Sequence, residues 1–479
     1  MSDYFDIRNN KVTKWGGFKM GKHAVIISVT DERISQYPNL KDYIDLHSSD
    51  IVTHMTESEL LVILKNVKQT EQSTEKVRMT AGDIARQLGK LKVQEATIAV
   101  DTLQTVFTEV NDHEATMAFV EGWHLGQYEY TTYKSKEPLH HTELHIEGDE
   151  VAEAVNNGKI RAASMNFSRD LMNDIPSELN PTTFPKRLKD ELEDSDVTIE
   201  VFNKAKLEEM EMNGLLTVGQ GSEHDPVFVE ISYQGDASKP LVALVGKGVT
   251  YDTGGINLKQ GRHLSDMRMD MGGAAAVAGA MKLLAESKAK VNVVALLQIV
   301  ENMPDSKAIL PGDVIRYKNG KTVQIGNTDA EGRLILADGL LRAGELEAEY
   351  VVDIATLTGA IANALGSKLA GVFGDEDLSL KMKQLGDVNG DHNWPMPLVD
   401  SYDSYLDSDY ADFSNISTKG EAGSITAGLF LRRFVPESCK WLHVDMAGMM
   451  SSKEEGYYAN SATGFGARLL ADYTEYVSK

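Results

Sequence analysis

The sequence predicts an α/β fold divided between a smaller N-terminal domain, residues 1–150, and a larger C-terminal one, residues 182–479, with a helix and a turn over 151–181 between them. Three observations carry this reading. A chain of 479 residues is long for one hydrophobic core. Strand-like and helix-like runs alternate along most of its length. Several of the strand-like runs are apolar on both faces, as in a largely parallel or mixed sheet covered by helices on both sides.

In the N-terminal part, HAVIISV (23–29) and EATIAVD (95–101) are short β-like runs, and 58–67 and 79–92 read as helical. HHTELHIEG (140–148) places His141 and His145 four apart. A zinc-binding HEXXH would need a glutamate directly after the first histidine and a helical setting. Leu144, Ile146 and the following Gly-Asp instead describe a strand ending in a turn, with solvated histidines. A helical run, VAEAVNNGKIRAASMNFSRDLMN, then leads into the proline-bracketed turn IPSELNP, the predicted crossing between domains. Beyond it VTIEVFN, VFVEISY, LVALVGK, NVVALLQI, YVVDIAT and WLHVDMA read as strands.

Composition narrows the function. A formal charge of −24 opposes binding to nucleic acid phosphates and to anionic membrane surfaces. The single cysteine, Cys439, permits no intrachain disulfide, which suits a reducing compartment. MSDYFDIRNNKVTKWGG has no apolar core of a signal peptide, and the longest apolar stretches, such as 274–281, are too short to span a bilayer. A cytoplasmic protein is expected.

The chemistry concentrates in two segments. In NTDAEGRL (327–334), Asp329, Glu331 and Arg333 recur at every second position. In an extended segment that spacing would send all three side chains to one side. The polar turn at Asn319 and Gly320 and the short strand after it precede this segment, and a helical pattern over 333–348 follows it. The acidic pair thus falls where a strand hands over to a helix, a usual place for sites in α/β sheets. The second segment follows the strand LVALVGK: Lys247, Asp252, Gly254, Gly255 and Lys259, then Asp270 at the head of a helical run over 271–287. Taken singly, an aspartate before a helix or a lysine ending a strand has an ordinary structural explanation. If the segments meet, four carboxylates share one volume, and each close pair repels by about 4 kcal/mol at an effective dielectric near 20. Two divalent ions would neutralise them, and a pair of such ions is a known means of activating water. The donors are hard oxygens with at most an amine, which accommodates Mn2+, Zn2+ or Mg2+ alike.

VGKGVTYDTGGINLK (245–259), MRMDMGGAAAV (267–277) and NTDAEGRL, in this order, resemble the signature segments of the leucine aminopeptidase (cytosol aminopeptidase) family of dinuclear metallo-exopeptidases. The likeness continues through ENMP, PGD, DIATLTGA, NWPMPL, SITAGLFL, HVDMAG and ATGFGARLL, covering roughly 160–479; the N-terminal part carries no comparable motif. The resemblance implies a smaller α/β/α domain followed by a catalytic domain with a mixed, roughly eight-stranded sheet between helices, assembled as a homohexamer. It implies one metal held by Lys247, Asp252, Asp270 and Glu331 and a second, more exchangeable one held by Asp252, Asp329 and Glu331. It further gives Lys259 the scissile carbonyl oxygen and Arg333 a bicarbonate that acts as general base. The substrate pocket it implies comprises Met267, Asn327, Thr356, Leu357, Gly359, Ala447 and Met450, shaped for leucine and other apolar N-terminal residues of peptides. Tyr251, Thr253, Gln260, Leu310 and Gln324 depart from the usual pattern; none is an implied ligand.

Two other functions are compatible with parts of the sequence. A noncatalytic regulatory relative that binds DNA would need a basic surface, which the acidic balance opposes. A dinuclear phosphoesterase would share the carboxylates but not the flanking motifs. Gly320-Lys321-Thr322 lacks the earlier glycine of a phosphate-binding loop, and 400–412 lacks the glycine and terminal glutamate of a calcium loop.

Overall fold

The computed structural model describes residues 23–479, so the reading of the first residues lies outside the described part. Two compact units emerge from the packing: one reaches to Ala163 and includes Lys453–Ala459, and the other comprises Ser164–Ser452 and Asn460–Lys479. The division falls inside the helix Ala152–Asn173.

The first unit is built on a five-stranded sheet of β1 (His23–Ser28), β2 (Ile51–Met55), β3 (Leu60–Leu64), β4 (Glu95–Ala99) and β5 (Glu143–Glu147) in the order β2-β3-β1-β4-β5. Only the β2/β3 pair is antiparallel. The stretch read as a helix over 58–67 is strand β3. All five residues of its Leu-Leu-Val-Ile-Leu run are buried, and a short run without alternation carries no periodicity to separate a central strand from a buried helix. Helices Thr74–Lys90 and Asp112–Gly126 pack together and close a core around Ile84, Leu88, Phe119 and Trp123.

The second unit carries the eight-stranded mixed sheet that the motifs implied. Its strands are β6 (Thr198–Phe202), β7 (Val227–Gln234), β8 (Leu241–Asp252), β9 (Asn292–Asn302), β12 (Tyr350–Ala355), β13 (Ala370–Gly374), β14 (Asn393–Pro395) and β16 (Lys440–Asp445). Their order is β14-β13-β16-β12-β8-β9-β7-β6. The central strands β16, β12, β8 and β9 are mutually parallel, and β7 and β6 continue antiparallel. A separate small sheet joins β10 (Val314–Arg316), β11 (Thr322–Gln324) and β15 (Phe413–Ser414).

Two helices cover the centre. Gly272–Glu286 and Glu331–Glu345 both pack on β8, β9 and β12. A Cβ on Gly246 would press against Ala274 of the first helix, and one on Gly339 of the second would meet Val245. Val245 and Gly246 are neighbours on β8 and so face opposite sides of the sheet. Both helices therefore begin near the carboxyl ends of the parallel strands, each on its own face. That end of the sheet is where the two polar segments converge.

Candidate metal centre

Strand β8 supplies the first two groups. Lys247 lies within it and Asp252 ends it, both almost wholly buried. Lys247 Nζ donates to Asp270 Oδ1 at 2.8 Å and to the Thr356 carbonyl at 3.0 Å, and it lies 2.9 Å from Glu331 Oε1. Asp270 comes from the end of the short helical segment Arg262–Met269, just before helix Gly272–Glu286, and also accepts from Thr356 Oγ1 at 2.7 Å. Lys259 Nζ lies 2.8 Å from Asp252 Oδ2 and pairs with Asp329. Asp252, Asp329 and Glu331 each bring a carboxylate oxygen within 4.8 Å of the others. Thus four acids and two lysines from four separated parts of the chain share one volume.

The local route to this geometry differs from the one expected. Asp329, Glu331 and Arg333 do not alternate along an extended segment. Glu331 is the first residue of helix Glu331–Glu345, so both Glu331 and Arg333 lie in its opening turns, while Asp329 belongs to the turn before it. The strand preceding the segment, β11, ends at Gln324. Two glycines make the approach possible. Gly254 has φ 88°, and a Cβ there would stand 2.9 Å from Asp329 Oδ1. A Cβ on Gly332 would stand 2.7 Å from Lys247 Cε.

Burial governs the charges. Removal from water drives the Asp270 carboxyl up to about 8 and that of Asp252 up to about 6, with neighbouring carboxylates adding to the effect and the lysines opposing it. Burial disfavours the Lys247 ammonium, but Asp270, Glu331 and Asp252 outweigh it and hold the group well above its usual range. Arg333 is buried too and is lowered to about 10 against the pull of Glu331 and Asp445. Its Nη1 donates to the Asn415 carbonyl at 2.7 Å, while Nε is buried without a hydrogen-bond partner. Glu331 Oε2 is likewise buried and unpartnered. A carboxylate oxygen left bare at the focus of an acidic cage fits a metal ligand, and a bare guanidinium N–H fits a small anion.

The implied pocket residues flank this cage. Thr356, buried at the end of β12, touches Asp270. Leu357 N and Ala447 N both donate to Asp445 Oδ1, at 3.2 and 3.3 Å, which ties the loop after β12 to the loop after β16. Asn327 Oδ1 accepts from Asp329 N at 2.8 Å. Met267, Leu357, Ala447 and Met450 are half-buried, and Gly359, which opens helix Gly359–Leu365, is exposed.

Four residues with visible work here were given no role from sequence. Asn302 Nδ2 donates to Asp252 Oδ1 at 2.9 Å and to the Thr328 carbonyl at 3.0 Å. Thr328 Oγ1 donates to the Gly254 carbonyl at 2.6 Å, binding the two loops together. Asp445 and Asn415 complete the set. Asn302 and Asp445 stand inside the ENMP and HVDMAG motifs, a signal that could have singled them out; Asn415 carries none.

Comparison with known proteins gives two family matches. The catalytic domain of the cytosol aminopeptidase family matches residues 166–471, and the N-terminal domain of that family matches residues 68–137. The chain is 37% identical over 407 residues to a probable cytosol aminopeptidase of Persephonella marina, covering 83% of this chain and 82% of that one. It is 39% identical over 396 residues to the cytosol aminopeptidase of Bos taurus, covering 80% and 76%. Among solved structures, the bottromycin maturation enzyme BotP superposes with a TM-score of 0.86 at 29% identity over 96% of this chain and 99% of that one. BotP in complex with Mn gives a TM-score of 0.87 at 30% identity, over 95% and 99%.

Proposed function

The chain belongs to the cytosol aminopeptidase family of metal-dependent peptidases, and from that premise we propose that it removes leucine and other apolar residues from the N-termini of peptides. The single observation that carries this reading is the cage itself: Lys247, Asp252, Asp270, Asp329 and Glu331 converge, with Glu331 Oε2 buried and without a hydrogen-bond partner.

Lys247, as the neutral amine that nearby dications would favour over the ammonium, would hold one divalent ion with Asp252, Asp270 and Glu331, and Asp252, Asp329 and Glu331 would hold a second. When bound, such ions polarise the scissile carbonyl and make water nucleophilic near neutral pH. Mn2+ is favoured by the manganese complex of BotP, and Zn2+ suits the same donors. The protein's own groups do the rest. Lys259, only partly exposed and held charged by Asp252 and Glu331 against the cost of burial, donates ammonium N–H hydrogen bonds to the oxyanion that develops on the carbonyl. Arg333 would hold a bicarbonate through its free Nε, placing a proton acceptor beside the substrate. Asn415 and Phe430 keep that guanidinium in place, the ring lying 6.0 Å away. Thr356, Leu357, Gly359, Ala447 and Met450 with Met267 and Asn327 form the pocket for the departing residue's side chain. Half-buried methionines adapt to several apolar shapes, which supports a broad preference.

The same likeness supports a homohexamer in the cytoplasm. Residues 1–150 would form the N-terminal domain, 151–181 the connection and 182–479 the catalytic domain. Among the described residues no helix is long and apolar enough to cross a membrane. The test is hydrolysis of Leu-p-nitroanilide. Activity should vanish with EDTA or phenanthroline and return with Mn2+. Inactivity of the metal-replete protein, with Glu331→Ala behaving identically, would reject the peptidase reading.

A further inference from the structure

We propose that Asn415, which lies about eighty residues beyond the NTDAEGRL segment in sequence, is the positioning residue that sets both Asp329 and Arg333 for the reaction. This rests on the peptidase reading above.

The placement follows from the small sheet. Strands β11 and β15 run parallel, with Val323 opposite Phe413 and Gln324 opposite Ser414, and Asn415 N extends the ladder by donating to the Gln324 carbonyl at 2.9 Å. Immediately beyond that point β11 ends and the irregular stretch 325–330 begins. The Asn415 side chain, wholly buried, takes over where the ladder stops. Its Oδ1 accepts from Gly326 N at 2.8 Å and Asn327 N at 3.3 Å. Its Nδ2 donates to the Asn327 carbonyl at 2.7 Å and the Ala330 carbonyl at 3.4 Å. Its own carbonyl accepts from Arg333 Nη1 at 2.7 Å. One residue thus grips the chain before Asp329, between Asp329 and Glu331, and at Arg333.

The chemistry of the grip requires an amide. The turn presents N–H groups and carbonyls to the same side chain, so the side chain must both accept and donate. Aspartate keeps the acceptor but sets a charged oxygen against the Asn327 and Ala330 carbonyls. Alanine leaves all four turn groups without their buried partner. Asp329 is held otherwise by the Lys259 ion pair at its side chain and by its backbone N–H on Asn327 Oδ1, and Asn327 is itself gripped by Asn415. Loosening the grip therefore displaces Asp329, while Lys247 and Asp270, held by Thr356 and strand β8, keep their positions.

The experiment compares full-length wild type, Asn415→Ala, Asn415→Asp and a core control, Leu406→Ala, which removes a buried side chain outside the stretch 325–330. Equilibrium binding of Mn2+ alone is measured by calorimetry, with kcat and KM for Leu-p-nitroanilide at saturating Mn2+. In both Asn415 variants the weaker Mn2+ should lose tenfold or more in affinity and the tighter one less than threefold. Their kcat should fall at least tenfold with KM within threefold, and Leu406→Ala should match wild type in all of these. Asn415→Asp fills the same volume and keeps the acceptor, so it reports if the alanine variant does not fold. Wild-type Mn2+ affinities and kcat in the Asn415 variants, or equal losses in Leu406→Ala, would overturn the assignment. Lack of hydrolysis by wild type would instead reject the peptidase reading.

Discussion

Replacing Gly332 by alanine adds a single methyl group at the point where the second helix meets the cage. Gly332 lies in helix Glu331–Glu345 without a positive φ, so the backbone tolerates a side chain. The new Cβ would meet Lys247 Cε at 2.7 Å and both Cδ and Nζ at 2.9 Å. Relief to an ordinary contact of about 3.5 Å requires a shift of roughly 0.6–0.8 Å, and the end of the lysine is what can move. For the fold the net cost is small, about 0–2 kcal/mol: overpacking costs about 1–3 kcal/mol, and alanine in place of a helical glycine returns about 1 kcal/mol. For the site it is not. A misplacement near 1 Å costs on the order of 100-fold in rate. Gly332→Ala should therefore keep its melting temperature within a few degrees of wild type while kcat/KM for Leu-p-nitroanilide falls about ten- to hundredfold and the tighter Mn2+ binds more weakly. Thermal unfolding, calorimetry and steady-state kinetics on one preparation read all three. Wild-type turnover and metal affinity in this variant would refute the placement of Lys247 as a ligand.

Two further outcomes concern charges away from the cage. Burial raises the Asp338 carboxyl well above its usual range, although Leu215 N donates to it at 2.8 Å. The folded state therefore retains that proton longer than the unfolded chain, and stability falls as pH rises above about 4. Asp338→Asn keeps an acceptor for the N–H without the buried charge, so its urea midpoint relative to wild type should climb between pH 5 and pH 8; a constant difference would contradict this. Burial lowers His124 from 6.5 to about 4, with Lys159 and His141 adding to the effect. Here the unfolded chain binds the proton first, so the stabilisation is present above pH 6.5 and is lost as pH falls toward 4, up to about 3 kcal/mol. Nuclear magnetic resonance titration of the ring should place its midpoint near 4, and a midpoint near 6.5 would refute the buried setting.

The site was more legible than the scaffolding that holds it. Asp252, Asp270, Asp329 and Glu331 have ordinary explanations taken singly, but their summed charge demanded a cationic partner, so the cluster could be singled out without coordinates. The i, i+2 spacing singled out two acids that do meet, but not by alternation along a strand. Glu331 already opens a helix, and the side chains meet because Gly332 and Gly254 allow the close approach. Asn415 was illegible because an asparagine outside any motif has many ordinary explanations, and its partners here come from a distant part of the sequence. Strand β3 was misread because five consecutive buried apolar residues leave no face pattern. The N-terminal unit offered no motif, yet its residues 68–137 match the family. That span holds the two packed helices and β4, and no short polar signature marks it.

In the proposed site one cage would hold two ions with unequal ligand sets, and equilibrium Mn2+ binding to wild type, Asp329→Ala and Asp270→Ala reads this out. Two ions per chain are expected for wild type, with only the tighter one surviving in Asp329→Ala and the tighter one weakened in Asp270→Ala. A single ion in wild type, or two undiminished ions in Asp329→Ala, would rule out the two unequal sites.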